Sequence, residues 1–238
     1  MNRASPAFYL SHLLLPLGFA AFLLWFYPLN WDLALISPYY DTAQQLFPLK
    51  NNFFLEAVMH SALKSALWFI PLALVALLFW SHISPELIAH RRRMIWLLLG
   101  LLLSALVVQL LKRNSIHACP WDLSLFGGSA PLLPLFGDLP DGVNPGHCFP
   151  GGHASGGFAL LAFYFAFRDD QRRWAIRGLL LASTLGFAMG WSQMMRGAHF
   201  LSHNLWTFWW VWMVLTMLYM VWPPIPRPME SKLEQKSC

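Results

Sequence analysis

Charge is what this chain has least of. Asp, Glu, Lys and Arg make up 11% of its 238 residues, against about 25% in ordinary soluble domains. That deficit excludes a soluble enzyme, even one held by a single anchor. Acids are scarcer than bases, 11 against 16, for a formal net charge of +5. Such an excess can mark a nucleic-acid binder. Here the bases cluster between apolar runs: Arg91–Arg93, then Arg168, Arg172, Arg173 and Arg177, then Arg227, Lys232 and Lys236. That distribution carries topology and excludes nucleic acid as a partner. Internal repeats and low-complexity tracts are missing as well, so one domain has to account for nearly the whole chain.

What fills the chain is apolar: 57% hydrophobic residues, with 13 Trp and 19 Phe. Apolar runs of about 17 to 25 residues mark membrane-spanning helices. Six are legible, near 8–26, 64–81, 94–111, 153–168, 175–195 and 203–222. No small-residue cleavage site follows the first, so it reads as a retained helix. The fold class is all-α: a polytopic membrane protein with six transmembrane helices. With a cytoplasmic N-terminus, the inner segments hold Arg3 and the three clusters above, 11 of the 16 bases. Lys50, Lys64, Lys112, Arg113 and Arg196 fall outside. The positive-inside rule then places both termini in the cytoplasm, with residues 1–222 as one membrane domain. The Pro-rich tail 223–238 is expected to be cytoplasmic and disordered.

Polar stretches interrupt the runs. The loop 27–52 carries Asp32, Asp41 and Lys50 and leads into 51–64, where Glu56, His60 and Lys64 recur at i,i+4 spacing. That spacing gathers them on one helix face. It reads as a solvated face, on an interfacial helix or an extension of the second span, with Lys64 in reach of a lipid head group as the alternative. From Lys112 to Pro150 runs the longest loop, rich in Gly and Pro and without evident secondary structure. A loop of that length is usually functional or disordered.

Two histidine segments sit at the mouths of apolar runs. Pro150-Gly151-Gly152-His153 opens the fourth, and Arg196-Gly197-Ala198-His199 joins the fifth to the sixth. Unpaired amides at a helix start attract anions, and glycines let an oxyanion approach the backbone. Two imidazoles with nearby fixed cations, Lys112 and Arg196, suit phosphoryl transfer. One ring attacks phosphorus, the other protonates the leaving oxygen, and the cations hold the equatorial oxygens. Taken singly, each imidazole reads as an interfacial residue satisfying a helix end; together with Lys112 they favour catalysis. If 196–203 is helical, Arg196, His199 and His203 share one face. His199 is then the nucleophile, and a neutral His203 supplies the acceptor that fixes its tautomer. Gly156 and Gly157 read as small residues for close helix packing.

Cys119 and Cys148 lie near the two ends of the long loop, both on the outer side. Thiols in reach of each other oxidise outside the cytoplasm, so a Cys119–Cys148 disulfide is expected to hold the Lys112 segment in register with the histidine turn. The alternative is a zinc site made of His117, Cys119, His147 and Cys148. Asp122 reads as a turn residue, or as a carboxylate recruited to the site.

In order and spacing, three segments resemble the type 2 phosphatidic acid phosphatase superfamily, which includes membrane lipid phosphatases, soluble acid phosphatases and haloperoxidases. The family pattern is Lys-x6-Arg-Pro, then Pro-Ser-Gly-His, then Ser-Arg-x5-His-x3-Asp. This chain reads Lys112, six residues, Cys119-Pro120; then Pro150-Gly151-Gly152-His153; then Ser192-Gln193, five residues, His199, three residues, His203. The resemblance covers about 112–203 and implies Lys112 and the Gly151 and Gly152 amides on phosphate, His153 as general acid and His199 as nucleophile. Both motif arginines are replaced, by Cys119 and Gln193. The Asp is replaced by His203 and the Ser by Gly151. Arg196, one turn beyond Gln193, is the expected substitute cation.

The resemblance implies a lipid phosphatase acting on a phosphomonoester or diphosphate through a phosphohistidine, in the inner membrane with its site facing the periplasm. Its partners are the lipid phosphate and the surrounding lipids, and it requires no cofactor or metal. A lipid phosphotransferase on the same scaffold, or a lipid-phosphate binder without chemistry, are the alternatives.

Overall fold

The computed structural model describes residues 5–25 and 29–225. Arg3 and the tail beyond 225 lie outside the described residues, and with them most of the expectation of a disordered tail. Among the described residues the chain is all helical, without a strand and with two isolated backbone bridges. Six helices dominate: α1 Pro6–Trp25, α2 Phe54–Trp80, α3 Arg91–Arg113, α4 Ala154–Phe167, α5 Arg172–Met195 and α6 Leu201–Val221. Four of them, α1, α2, α3 and α6, are long and apolar enough to cross a membrane. α4 is apolar but shorter, and α5 has the length but falls outside those four on composition.

The helices follow the apolar runs, because in hydrocarbon a backbone must satisfy its own polar groups. The second starts earlier than its run. Glu56, His60 and Lys64 occupy the first turns of α2, which extends the second span. No glycine or proline falls between 54 and 70 to stop the helix.

The short helix α4 sits at the centre of the bundle. Phe158, Leu161 and Phe165 pack in one core with Trp96, Leu101 and Val108 of α3 and Val211 and Leu215 of α6. Helix association in lipid depends on close packing, and α4 meets α5 closely: a Cβ on Gly157 would lie 2.6 Å from Gly186 Cα. α1 docks through a buried histidine. His12 Nε2 is 2.7 Å from the Tyr164 hydroxyl, and the His12 carbonyl accepts from Trp212 Nε1 and Thr216 Oγ1.

The two ends of the bundle differ in chemistry. At one, Arg91 donates to the Ser81 carbonyl and hydroxyl, Arg92 to the Pro223 carbonyl, and Arg93 pairs with Asp170. At the other, the segments 29–53, with a short helix Leu29–Ile36, and 114–153 join Phe200 in a second apolar core of Ile36, Phe47, Leu123, Phe126 and Phe200. The long loop is thus ordered. Its ends are zipped by Gly146 N to Ile116 O, His147 N to Ser115 O and Cys148 N to His117 O at 2.9–3.1 Å. Cys119 and Cys148 are joined in a disulfide, Cα to Cα 5.1 Å.

Candidate active site

Three chain segments that are remote in sequence meet at the loop end of the bundle. Lys112 lies in the last turn of α3 and folds over the glycine turn: a Cβ on Gly152 would sit 3.2 Å from its Cδ and 3.5 Å from its Nζ. The turn itself is pinned by α6. Gly151 N donates to the His203 carbonyl at 3.1 Å, and Thr207 Oγ1 donates to the Gly151 carbonyl at 3.0 Å. This corrects the expectation for Gly151, whose amide is committed to the protein. The Gly152 amide has no acceptor among the described residues and stays available to an anion.

The absent serine also has a physical reason. A Cβ at 151 would fall 2.8 Å from Asn204 Oδ1, and the Asn204 carboxamide in turn rests on Gly190. Asn204, buried in the first turn of α6, fills the space that a serine side chain needs.

The second histidine arrives by a turn rather than a helix. α5 stops at Met195, Gly197 adopts φ +77°, and α6 begins at Leu201. Only glycine takes that backbone without strain, and Phe47 lies so close that a Cβ there would approach its ring to 2.5 Å. The helical-face expectation for Arg196, His199 and His203 is therefore overturned, although the two histidines still meet. Their Nδ1 atoms are 3.3 Å apart, leaving His199 Nε2 without a hydrogen bond among the described residues. A backbone hydrogen bond to Cys148 partly offsets the lowering of the His199 pKa, a role the sequence did not suggest.

His153 and His199 approach with ring centroids 6.5 Å apart. The His153 Nε2 is buried with no hydrogen-bond partner, an unspent polar atom in a pocket of cations. Burial first, then the neighbours His60, Lys112, Lys64 and Arg196, hold the His153 pKa down to about 3. His199 is lowered well below its ordinary value by burial, then by His203, Lys112 and His153. Both rings are therefore neutral at neutral pH. A neutral His199 keeps the lone pair that a nucleophile needs.

Arg196 is buried and engaged on three sides. Nε donates to the Lys50 carbonyl at 2.7 Å, Nη1 reaches Gln193 Oε1 at 3.4 Å, and Nη2 lies 3.6 Å from Glu56 Oε2. One hydrogen on each terminal nitrogen is left over. The guanidinium thus rests against the side chain that replaces the family's third-motif arginine.

Other expectations divide. Asp122 is an exposed turn residue that accepts from Trp121 Nε1. His117 bonds the Pro134 carbonyl, Cys119 and Cys148 are consumed in the disulfide, and the four candidate zinc ligands form no cluster among the described residues. The grouping at ligand spacing is instead Cys148, His199 and His203, within 4.8 Å of one another. The disulfide removes the thiolate that a metal would want there. Two features escaped the sequence reading. His60 lies against His153, the two rings tilted by 34° with centroids 3.7 Å apart; its helix face was visible in the spacing, its direction was not. Asp32, nearly fully buried, accepts from Ser202 N at 2.9 Å and caps α6 just before His203; nothing local to Asp32 signals that contact.

No curated protein and no solved structure matches the chain. The family model described as the PAP2 superfamily matches residues 93–226, from the start of α3 past the end of α6. That is more than half of the sequence and contains both histidines, Lys112 and their supporting helices. The chain belongs to the PAP2 superfamily.

Proposed function

We propose that this protein is an integral membrane phosphatase that removes a phosphoryl group from a lipid phosphate ester or anhydride by way of a phosphohistidine. Membership of PAP2 supports phosphatase-type chemistry in a membrane protein. The observation that carries the finer reading is the convergence of His153, His199 and Lys112 on one pocket.

In this reading His199 Nε2 attacks phosphorus while Nδ1 stays tied to His203 and the Cys148 carbonyl. Lys112, the Gly152 amide and Arg196 hold the equatorial oxygens, and His153 passes its proton to the leaving oxygen. Water then cleaves the phosphorus–nitrogen bond. All six helices cross the membrane, the arginine-rich end faces the cytoplasm, and the histidine end faces outward in an inner membrane. No divalent ion takes part.

The test is hydrolysis of a panel of lipid phosphates by purified protein in detergent, with and without EDTA. Turnover is expected in both conditions, with an acid-labile phosphoenzyme that His199→Ala abolishes. A fully active His199→Ala protein refutes the nucleophile assignment. Activity lost with EDTA and restored by a divalent ion refutes the metal-free mechanism.

A further inference from the structure

Between α2, α4 and α5 runs a groove of about 720 Å³ that shares no residue with the histidine pocket. On α5 it is walled by Trp174, Arg177, Gly178 and Leu181, the i, i+3, i+4 and i+7 positions of one helical face. Phe163 and Phe167 of α4, one turn apart, form the facing wall, and Ile70 of α2 closes the third side. A Cβ on Gly178 would lie 3.0 Å from Phe163 Cβ, so α4 and α5 meet at the back of the groove. From Gln171 to Leu181 the α5 wall is about 15 Å long. That is close to one leaflet of a hydrocarbon core about 30 Å thick.

The lining is graded along that length. Leu160, Leu181 and Ile70 make the deep end apolar, while Gln171, Trp174 and Arg177 mark the mouth, at the arginine-rich end of the bundle. The Arg177 guanidinium lies over the Trp174 ring, 4.8 Å from its centroid and one turn nearer that end. An arginine whose stem lies in lipid lifts its head towards the interface in this way, and tryptophan favours the same depth. The acids of this end are already engaged: Asp170 with Arg93, and Asp169 with Tyr219 and Arg168. Arg172, Arg173 and Arg177 have no acidic partner among the described residues, and no acid lines the groove. An apolar slot one leaflet deep, with unpaired guanidinium groups at its mouth, complements a molecule with a fatty tail and a negative head.

We infer that this groove binds an anionic glycerophospholipid from the leaflet at the arginine-rich end. Its phosphodiester sits on Arg177, within the positive field of Arg172 and Arg173, and an acyl chain runs down the slot between Phe163 and Leu181. Basic pockets between membrane helices recognise lipid head groups by this charge pairing. The lipid touches α2, α4 and α5 together and so braces the helices that carry His60, His153 and the approach to His199. The inference needs the membrane setting alone and stands whatever chemistry the histidine pocket performs.

The experiment titrates delipidated full-length protein, in an uncharged detergent, with dioleoyl phosphatidylglycerol and separately with dioleoyl phosphatidylcholine. Native mass spectrometry reads stoichiometry and affinity, and melting reads stabilisation. Phosphatidylglycerol is expected to bind more tightly and to raise the melting midpoint further. Arg177→Gln should weaken phosphatidylglycerol by about 5-fold and phosphatidylcholine by less than about 2-fold, with Arg177→Lys keeping most of the affinity. Arg113→Gln, an equal loss of charge at the exposed opposite end of α3, should bind both lipids as wild type does. Leu181→Trp, which narrows the slot without changing charge, should weaken both lipids. Equal wild-type affinity for the two lipids, or phosphatidylglycerol binding untouched by Arg177→Gln, overturns the head-group site. A loss in Arg113→Gln as large as in Arg177→Gln reduces it to diffuse attraction and overturns it too. Unchanged binding in Leu181→Trp, or a lipid-free dimer in place of a lipid complex, overturns the groove as the place of the tail.

Discussion

Replacing Gly151 by alanine adds one carbon at the point where the glycine turn meets α6. That carbon would lie 2.8 Å from Asn204 Oδ1, so the oxygen must withdraw by about 0.6 Å to reach ordinary contact at 3.4 Å. Withdrawal is blocked, because a Cβ on Gly190 would already lie 2.6 Å from Asn204 Cγ. Overpacking of this kind costs about 1–3 kcal/mol, which for a chain of this length lowers the melting midpoint by roughly 2–12 °C. The strain falls on the bonds from Gly151 N to His203 O and from Thr207 Oγ1 to Gly151 O, two residues from His153 and one from the Gly152–Lys112 contact. Misplacement of a reacting group by about 1 Å can cost 100-fold, so a loss of about 10-fold or more in kcat/KM is expected. Asn204 Oδ1 has no hydrogen-bond partner, so Asn204→Ala breaks no bond at that atom while opening the space. The double variant Gly151→Ala/Asn204→Ala should regain most of the midpoint and come within about 3-fold of wild type, a non-additivity diagnostic of direct contact. Melting in detergent and steady-state kinetics on one lipid phosphate read both quantities. A single variant that behaves as wild type, or a double variant no better than the single, refutes the account of why glycine stands there.

Two further outcomes follow from the site. Reducing the Cys119–Cys148 disulfide, with a sequence separation of 29, should cost about 3–4 kcal/mol in the chain-entropy model and lower activity by loosening the Cys148 carbonyl against His199; full activity and an unchanged midpoint in reductant would remove that role. Burial and then the neighbouring charged groups hold His153 near pKa 3, so vanadate binding near pH 6.5 should take up a proton. Calorimetry in buffers of different ionisation enthalpy reads it, and a binding enthalpy independent of buffer refutes the coupling. Because that pKa lies below the unfolded value of about 6.5, the native state binds fewer protons between the two. The protein should therefore lose stability as pH falls from about 6.5 towards 3.

The helices were legible because lipid forces long uninterrupted apolar runs, as in α3 and α6. The order and spacing of Lys112, His153 and His199 gave the family. Neither signal carries direction. Glu56, His60 and Lys64 shared a face by spacing, and only packing of Leu67 against Gly156 aims that face at His153. The Gly151 amide looked free because its acceptor, the His203 carbonyl, is 52 positions away and is a backbone atom with no sequence signature. Helical continuity through 196–203 failed because Gly197 takes a left-handed backbone over the Phe47 ring. Asp32 and the Cys148 carbonyl were invisible for the same reason as the His203 carbonyl: their partners are set by tertiary structure alone.

The bed beneath the nucleophile is made largely of residues that the family pattern does not contain. Phe47 supports Gly197, the Lys50 carbonyl grips Arg196, Asp32 caps the helix of His203, and Ile36 packs with Phe200. Modularity therefore stops short of the matched stretch: residues 93–226 hold the reactive groups but not their foundation. Expressed by itself, that fragment would inherit every motif and lack the surface that keeps His199 aimed.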